Sequence, residues 1–194
     1  TGNGSTQSIT GVGFQLDMSW KKSRATEYHY LYDSVRGTDG TTMYYVAPNS
    51  TNTQSAGSTG VSSIDSDGWS LTGASGNVNT NTVNYVAWCW KAGTTSGIAG
   101  SPSITPAGYS FNATSGFSII KWAGTAGTGT LPHGFGVVPQ MVIVKNLTAA
   151  GDWYMYNANL GNTQAIKLSD TAAKETQSYW QDTTPTSSLF YISA

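Results

Sequence analysis

The chain has 194 residues, enough for one large or two small domains with a buried core. Charged residues make up 10%, against roughly 25% in ordinary soluble domains, and 9 Lys+Arg against 10 Asp+Glu leave a formal charge of −1. That balance excludes a basic footprint for nucleic acid and a polybasic face for a membrane. The 24 Ser, 27 Thr and 23 Gly stand beside 7 Trp and 11 Tyr, a mixture of turn formers and sheet formers, and aromatics at 12% argue against disorder. No apolar run reaches the roughly eighteen residues of a spanning helix. No signal peptide is visible, and the start at Thr1 reads as a processed or excised piece of a soluble protein.

In chain order, the first extended stretch is "GFQLDMSWKK" from Gly13. "EYHYLYD" follows, with Tyr28, Tyr30 and Tyr32 on one face and Glu27, His29 and Leu31 on the other, the period of a strand. The turns "RGTDGTT" and "DSDG" lead to the strand "WSL", and "GASGN" leads to "VNYVAWCWKA". There Val86, Trp88 and Trp90 alternate with Tyr85, Ala87 and Cys89, and tryptophans at strand spacing are expected in the core. The Gly/Ser/Pro-rich segment from Ala92 to Gly108 has the composition of a linker. Beyond it, "GFSIIKW" and "QMVIVKN" are apolar on both faces and predict central strands. "AGTAGTGT" and "LTAAGD" are turns, and "TAAKETQSYW", Thr171 to Trp180, is the single candidate for a short helix. Many short strands with frequent turns predict an all-β fold, a jelly-roll-like β-sandwich.

The chain also repeats itself. Gly13, Met18 and Lys22 answer to Gly136, Met141 and Lys145, each pair 123 residues apart. Tyr32 and Gly37 answer to Tyr156 and Gly161, now 124 apart, with one residue added in "LTAAGD". "SIDSDGWSL" answers to "TPTSSLFYI". These matches divide the chain into two tandem pseudo-repeats, 1–97 and 98–194. Met18 and Met141 are expected at equivalent core positions. The first copy lacks a "GFSIIKW" strand and the second lacks an "NYVAWCWKA" strand. An unpaired edge is an association hazard, so the missing strands are expected from the other copy or from neighbouring chains.

"GFQLDMSWKKS", "LYDSVRG", "SIDSDGWSL", "VNTNTVNYVAWCWKAG", "TSGFSIIKW", "HGFGVVPQMVIVKN" and "TTPTSSLFYI" resemble a repeated domain of tail-fibre and other virion proteins of tailed bacteriophages, marine and cyanobacterial ones above all. The likeness runs through nearly the whole chain in the same order. It implies a β-rich module on the virion surface, extracellular and often present in several copies, and it brings no catalytic residues. The first copy departs from the pattern at Ser19, where an apolar residue is usual. The partners implied are other virion proteins, further copies of the chain (a trimer above all) and a host surface glycan, with neither nucleic acid nor membrane insertion. A capsid decoration or fibre spacer is the alternative, and a polysaccharide depolymerase fragment the third reading.

Candidate chemistry is sparse. His29 could be polarised by Glu27, but a strand histidine facing solvent is the ordinary case; His133 in "LPHGFG" reads as a turn residue. The lone Cys89 excludes an intrachain disulfide and reads as an inert thiol. Asp65 and Asp67 could hold calcium through their oxygens, but Asx turns before the strand "WSL" are the ordinary explanation, and no metal or cofactor is expected. Asparagines in glycosylation sequons, Asn3, Asn49, Asn112 and Asn146, follow from composition. Trp and Tyr stack on sugar faces. Among them Trp153 and Trp180, close to turns, are the expected ligand-binding residues. No catalytic residue is expected, and the protein reads as no enzyme.

Overall fold

A computed structural model describes residues 1–75 and 78–193 of the chain. It is all-β: fifteen strands form among the described residues, no helix does, and every strand pairing is antiparallel. Two compact units emerge, Thr1–Lys91 with Leu147–Ala150, and Ala92–Asn146 with Gly151–Ala194. The division falls at Ala92 rather than after residue 97.

The first unit contains β1 (Gln7–Ile9), β2 (Met18–Ser23), β3 (His29–Asp33), β4 (Tyr45–Val46), β5 (Gly60–Asp65), β6 (Gly68–Thr72) and β7 (Tyr85–Trp90). They make two sheets, ordered β1-β6-β5 and β4-β3-β2-β7. One continuous core lies against both: Tyr30 and Tyr32 of β3 pack with Val61, Trp69 and Leu71 of β5 and β6, and with Leu16, Met43 and Val78. Two antiparallel sheets sharing one core is a sandwich arrangement. The expected face of "EYHYLYD" is present in part: Tyr30 and Tyr32 are buried while His29 and Leu31 are half-exposed, but Tyr28, expected on the same face, lies before β3 and is 50% exposed. Gly76 and Asn77 of the expected "GASGN" turn lie outside the described residues.

The second unit contains β8 (Gly108–Asn112), β9 (Phe117–Lys121), β10 (Gly129–Pro132), β11 (Met141–Lys145), β12 (Trp153–Asn157), β13 (Gln164–Lys167), β14 (Glu175–Thr176) and β15 (Leu189–Ile192). Here the strands form a β8-β9 hairpin, a β10-β15 pair and a sheet ordered β11-β12-β13-β14. Its core is split. Ile104, Leu131 and Phe190 form one cluster and Tyr156, Ala165 and Trp180 another, with Val142 touching both.

The repeat holds in register. Met18 pairs with Asp33 and Lys22 with His29 across β2 and β3; Met141 pairs with Asn157 and Lys145 with Trp153 across β11 and β12. Each hairpin leads into the same left-handed glycine, Gly37 at φ 82° and Gly161 at φ 83°, a conformation glycine adopts without steric cost. The β1-β6 pair has its counterpart in β10-β15.

Five expectations are corrected. Met18 and Met141 are equivalent in pairing but not in burial, for Met18 is half-buried and Met141 is 54% exposed. The reason is β7, which covers the open side of β2 and has no counterpart beside β11. For the same reason "QMVIVKN" is an edge strand, not a central one, and "GFSIIKW" becomes half of a hairpin. Trp88 of β7 points outward at 48% exposure instead of into the core, because the small Ala87 and Cys89 take the inner face. The segment after Ala92 is no free linker: Ile104 is a core residue, and its N–H donates to Thr130 O at 3.2 Å. Finally, Thr171 to Trp180 forms no helix; Glu175–Thr176 pairs with β13, and the Trp180 indole N–H bonds Gln164 O. A lone ten-residue stretch nucleates helix poorly, so tertiary pairing decides its conformation.

Candidate functional site

Strand β2 reads Met-Ser-Trp-Lys-Lys-Ser, and its two faces differ in chemistry. Two consecutive lysines cannot share a face of a strand, and since the β1-β6-β5 sheet covers one face of this one, one lysine is buried. Met18, Trp20 and Lys22 lie on the outer face, and Ser19, Lys21 and Ser23 are buried on the inner one.

On the outer face the aromatics gather. Trp20 sits between Trp88 of β7 and Leu31 of β3 in register. Its ring stands edge-on to Trp88 at 6.5 Å and to His29 at 5.8 Å. The Trp20 indole N–H donates to His29 Nδ1 at 2.9 Å, which fixes both rings and makes Nε2 the protonated nitrogen of a neutral His29. Burial, with Lys22 nearby, lowers the His29 pKa and favours that neutral form. Lys22 is held over the end of β2 by bonds from Nζ to Ser23 O and Ala25 O at 2.6 and 2.7 Å. The result is a rigid aromatic shelf with an open indole face on Trp88 and polar groups at its margin. A flat apolar face ringed by donors and acceptors suits the C–H face of a sugar ring.

On the inner face Lys21 is 3% exposed, and among the described residues no carboxylate pairs with it. Its Nζ lies 4.1 Å from the Trp69 ring centre and 5.0 Å from that of Tyr32, and it donates to Ser19 Oγ. Those π faces replace part of the lost hydration. Burial still pushes its pKa down to about 7, and it pushes the Cys89 thiol up. Lys21 also lines a cavity of about 170 Å³ with Gln7, Trp69, Leu71, Val78 and Tyr85.

The residues singled out from sequence fall elsewhere. Trp153 and Trp180 are 4% and 3% exposed. Trp153 opens β12 opposite Lys145, and Trp180 packs edge-on against Tyr156 at 5.9 Å, so neither presents a face to a ligand. That assignment is corrected: turns flank both residues in sequence, but the sheet folds over them. His133 is buried, with Nε2 donating to Thr186 O and Nδ1 accepting from Phe135 N–H, a structural role. Asp65 accepts from the Ser63 and Ser70 hydroxyls, and Asp67 accepts the Gly11 and Gly13 N–H groups. Those bonds hold turns, and among the described residues no cluster of three or more His, Cys, Asp or Glu could hold a metal.

Residues 1–194 match the family described as Domain of unknown function (DUF7483). The chain belongs to that family. No curated protein and no solved structure matches it. In this DUF7483 chain the aromatic shelf sits in the first unit alone, since the position matching Trp20 is Ile143 and β11 has no neighbour corresponding to β7. Sequence reasoning passed over Trp20 and Trp88. The usable signal was that β7 alternates Trp88 with Ala87 and Cys89, and a packed core takes its bulk from the larger side chain only when that side faces inward.

Proposed function

We propose that this chain is a non-enzymatic surface module of a bacteriophage virion, a fibre or adhesin part that contacts host-cell glycan through Trp20 and Trp88. The observation that carries the reading is Trp88, 48% exposed on a rigid strand and braced edge-on by Trp20. The resemblance of the repeated strands to tail-fibre domains supports the setting, and the partners are then other virion proteins and the host surface. Eight of the ten carboxylates accept hydrogen bonds or pair with cations, Asp17 and Asp170 among them, which favours a binding role over hydrolysis. Asp33 pairs with Arg36, Asp152 and Glu175 with Lys167, and Asp39, Asp65 and Asp67 accept turn hydrogen bonds. Glycoside cleavage needs two carboxyl groups free to exchange protons across a cleft.

A second reading, a capsid decoration or fibre spacer, is favoured by the apolar edges of β7 and β11. The two are separated by titrating the protein with an array of bacterial surface polysaccharides while following tryptophan emission. Trp88→Ala is expected to weaken binding roughly tenfold, equivalent to about 1.4 kcal/mol. Near-UV circular dichroism should otherwise keep its native form. Binding by no polysaccharide, or unchanged affinity in the variant, overturns the glycan reading in favour of the spacer.

A further inference from the structure

We propose that His29 is the positioning residue of the shelf formed by Trp20 and Trp88: its neutral ring holds Trp20 through Nδ1, and protonation releases Trp20 and with it the bound glycan. The proposal rests on the glycan reading of this shelf and adds its regulation by acid.

The geometry is one hydrogen bond with one possible direction. An indole has a donor and no acceptor, so the 2.9 Å contact from Trp20 Nε1 requires a lone pair on His29 Nδ1. A neutral imidazole has that lone pair; an imidazolium carries a proton on both nitrogens and has none. Among the described residues the Trp20 indole and the His29 ring have no other hydrogen-bond partner. A single proton therefore sets a donor against a donor, and the bond is lost rather than weakened.

The bond lies where it bears on binding. Trp20 stands edge-on to His29 at 5.8 Å and to Trp88 at 6.5 Å, and it braces the 48% exposed Trp88. A Trp20 that turns away leaves the open indole face unsupported. The hairpin does not need the pair in order to form. In the second unit the same register sets Ile143 in place of Trp20 and Trp153 in place of His29, and β11 and β12 pair all the same.

The surroundings set the direction of the response. Lys22 lies opposite His29 in register on β2 and repels an imidazolium. Arg24 and Glu27, one charge of each sign, lie in the turn between β2 and β3, and Tyr28 precedes the ring with an uncharged phenol. β7 brings Val86 and Trp88 to this face, and the segment after β4 brings Asn49, whose Oδ1 accepts the His29 backbone N–H; none of these is charged. Burial first, and Lys22 second, hold the imidazole below its ordinary value of 6.5. The ring is thus neutral at neutral pH and takes its proton in acid, so the shelf is assembled at neutral pH and released below that value.

Two measurements test the switch. The NMR signals of the indole N–H groups are followed in the ligand-free protein from about pH 8 to about pH 4.5, beside those of the His29 ring. The Trp20 signal, assigned with Trp20→Phe, is expected to move with the midpoint of His29 and to stay still in His29→Gln. Glutamine offers Trp20 a side-chain oxygen that does not titrate. The second measurement is affinity for an uncharged polysaccharide over the same range. Wild-type affinity should fall roughly tenfold on protonation, the size of one lost hydrogen bond. His29→Ala should be weak throughout; His29→Gln should bind more tightly than His29→Ala at neutral pH and lose the slope. A merely structural histidine would lower affinity in both variants alike. Near-UV circular dichroism checks that the variants are folded, and His29→Asn replaces His29→Gln should that variant lose its native spectrum. A Trp20 signal that ignores the His29 titration overturns the proposal, as does a His29 ring that stays neutral until the protein unfolds. So does a slope that His29→Gln retains, or a His29→Ala variant that binds as the wild type does. The spectra need no ligand. Binding by no polysaccharide, which sinks the glycan reading, is thereby told apart from an indole signal that fails to follow His29, which sinks the switch.

Discussion

The two units of this chain are one sentence written twice with different endings, and the difference lies in what each hairpin is packed against. Residues 18–23 and 29–33 pair as residues 141–145 and 153–157 do, down to the register. Yet the first hairpin is covered by β7 and backed by a single core of eight buried residues, while the second has a bare edge and two clusters of three. Equivalent backbone does not imply equivalent burial. The buried stripe of the first copy is polar, Ser19 and Lys21, where the second has the apolar Val142 and Val144. The turn that follows each hairpin differs in the same way: Asp33 and Arg36 form a buried ion pair, and their counterparts are Asn157 and Leu160.

That last contrast yields the largest expected effect. Asp33→Asn copies the second unit, keeps an oxygen for the Val35 N–H, and leaves Arg36 buried without its charge partner. It should cost about 3–5 kcal/mol in urea denaturation. Adding Arg36→Leu completes the copy and should restore most of the loss. A single variant losing under about 1 kcal/mol, or a double variant no better than the single, would break the equivalence of the two turns.

Next comes burial itself. Leu71, 2% exposed in the continuous core, should cost about 2–5 kcal/mol when cut to alanine. Met141→Ala at the bare edge of the second unit should cost less than about 0.5 kcal/mol in the dilute monomer. Equal losses would mean that the edge is covered in solution.

A third comparison uses pH. The folded Lys21 amine titrates near pH 7 and the unfolded one near 10.5. Between those values the unfolded chain holds a proton that the folded chain does not, so stability rises with pH, by at most about 1.4 kcal/mol per pH unit for the one group. The raised Cys89 thiol acts in the opposite sense above its ordinary value of 9.0, so the rise is read between pH 7 and 9, where the lowered Lys145 amine acts in the same sense as Lys21. Lys21→Met makes this position apolar, as Val144 is, and should flatten the rise; an unaltered slope would assign it to another group.

The smallest effect concerns the shared turn. Gly37→Ala and Gly161→Ala place a methyl in open space, so each should cost only the left-handed strain, about 1–2 kcal/mol, and the same in both units. A difference beyond about 1 kcal/mol would show that the two turns are held differently.

Much of the architecture was legible. Alternation in "EYHYLYD" placed Tyr30 and Tyr32 on one face, which the structure buries, and the matched offsets identified a repeat whose copies form hairpins of common register. The site was far less legible. Trp153 and Trp180 lie beside turns and are nonetheless buried, whereas Trp88 lies mid-strand and is exposed. Alternation separates the two faces of a strand but does not say which face meets a core, because that depends on the sheet stacked opposite.

By itself, the sequence determined the properties that are local or periodic: an all-β chain, its turns, the opposite faces of Lys21 and Lys22, and the internal repeat. These follow from steric preferences and from the two-residue period of a strand, and they need no knowledge of neighbours. Tertiary structure alone decided which strands became edges, that Thr171 to Trp180 would pair with β13 rather than coil into a helix, and that Met18 would be partly covered while Met141 stayed bare. Those outcomes depend on contacts between residues far apart in the chain. The same local pattern, closed on one side by β7 in the first unit and left open in the second, acquires a different environment.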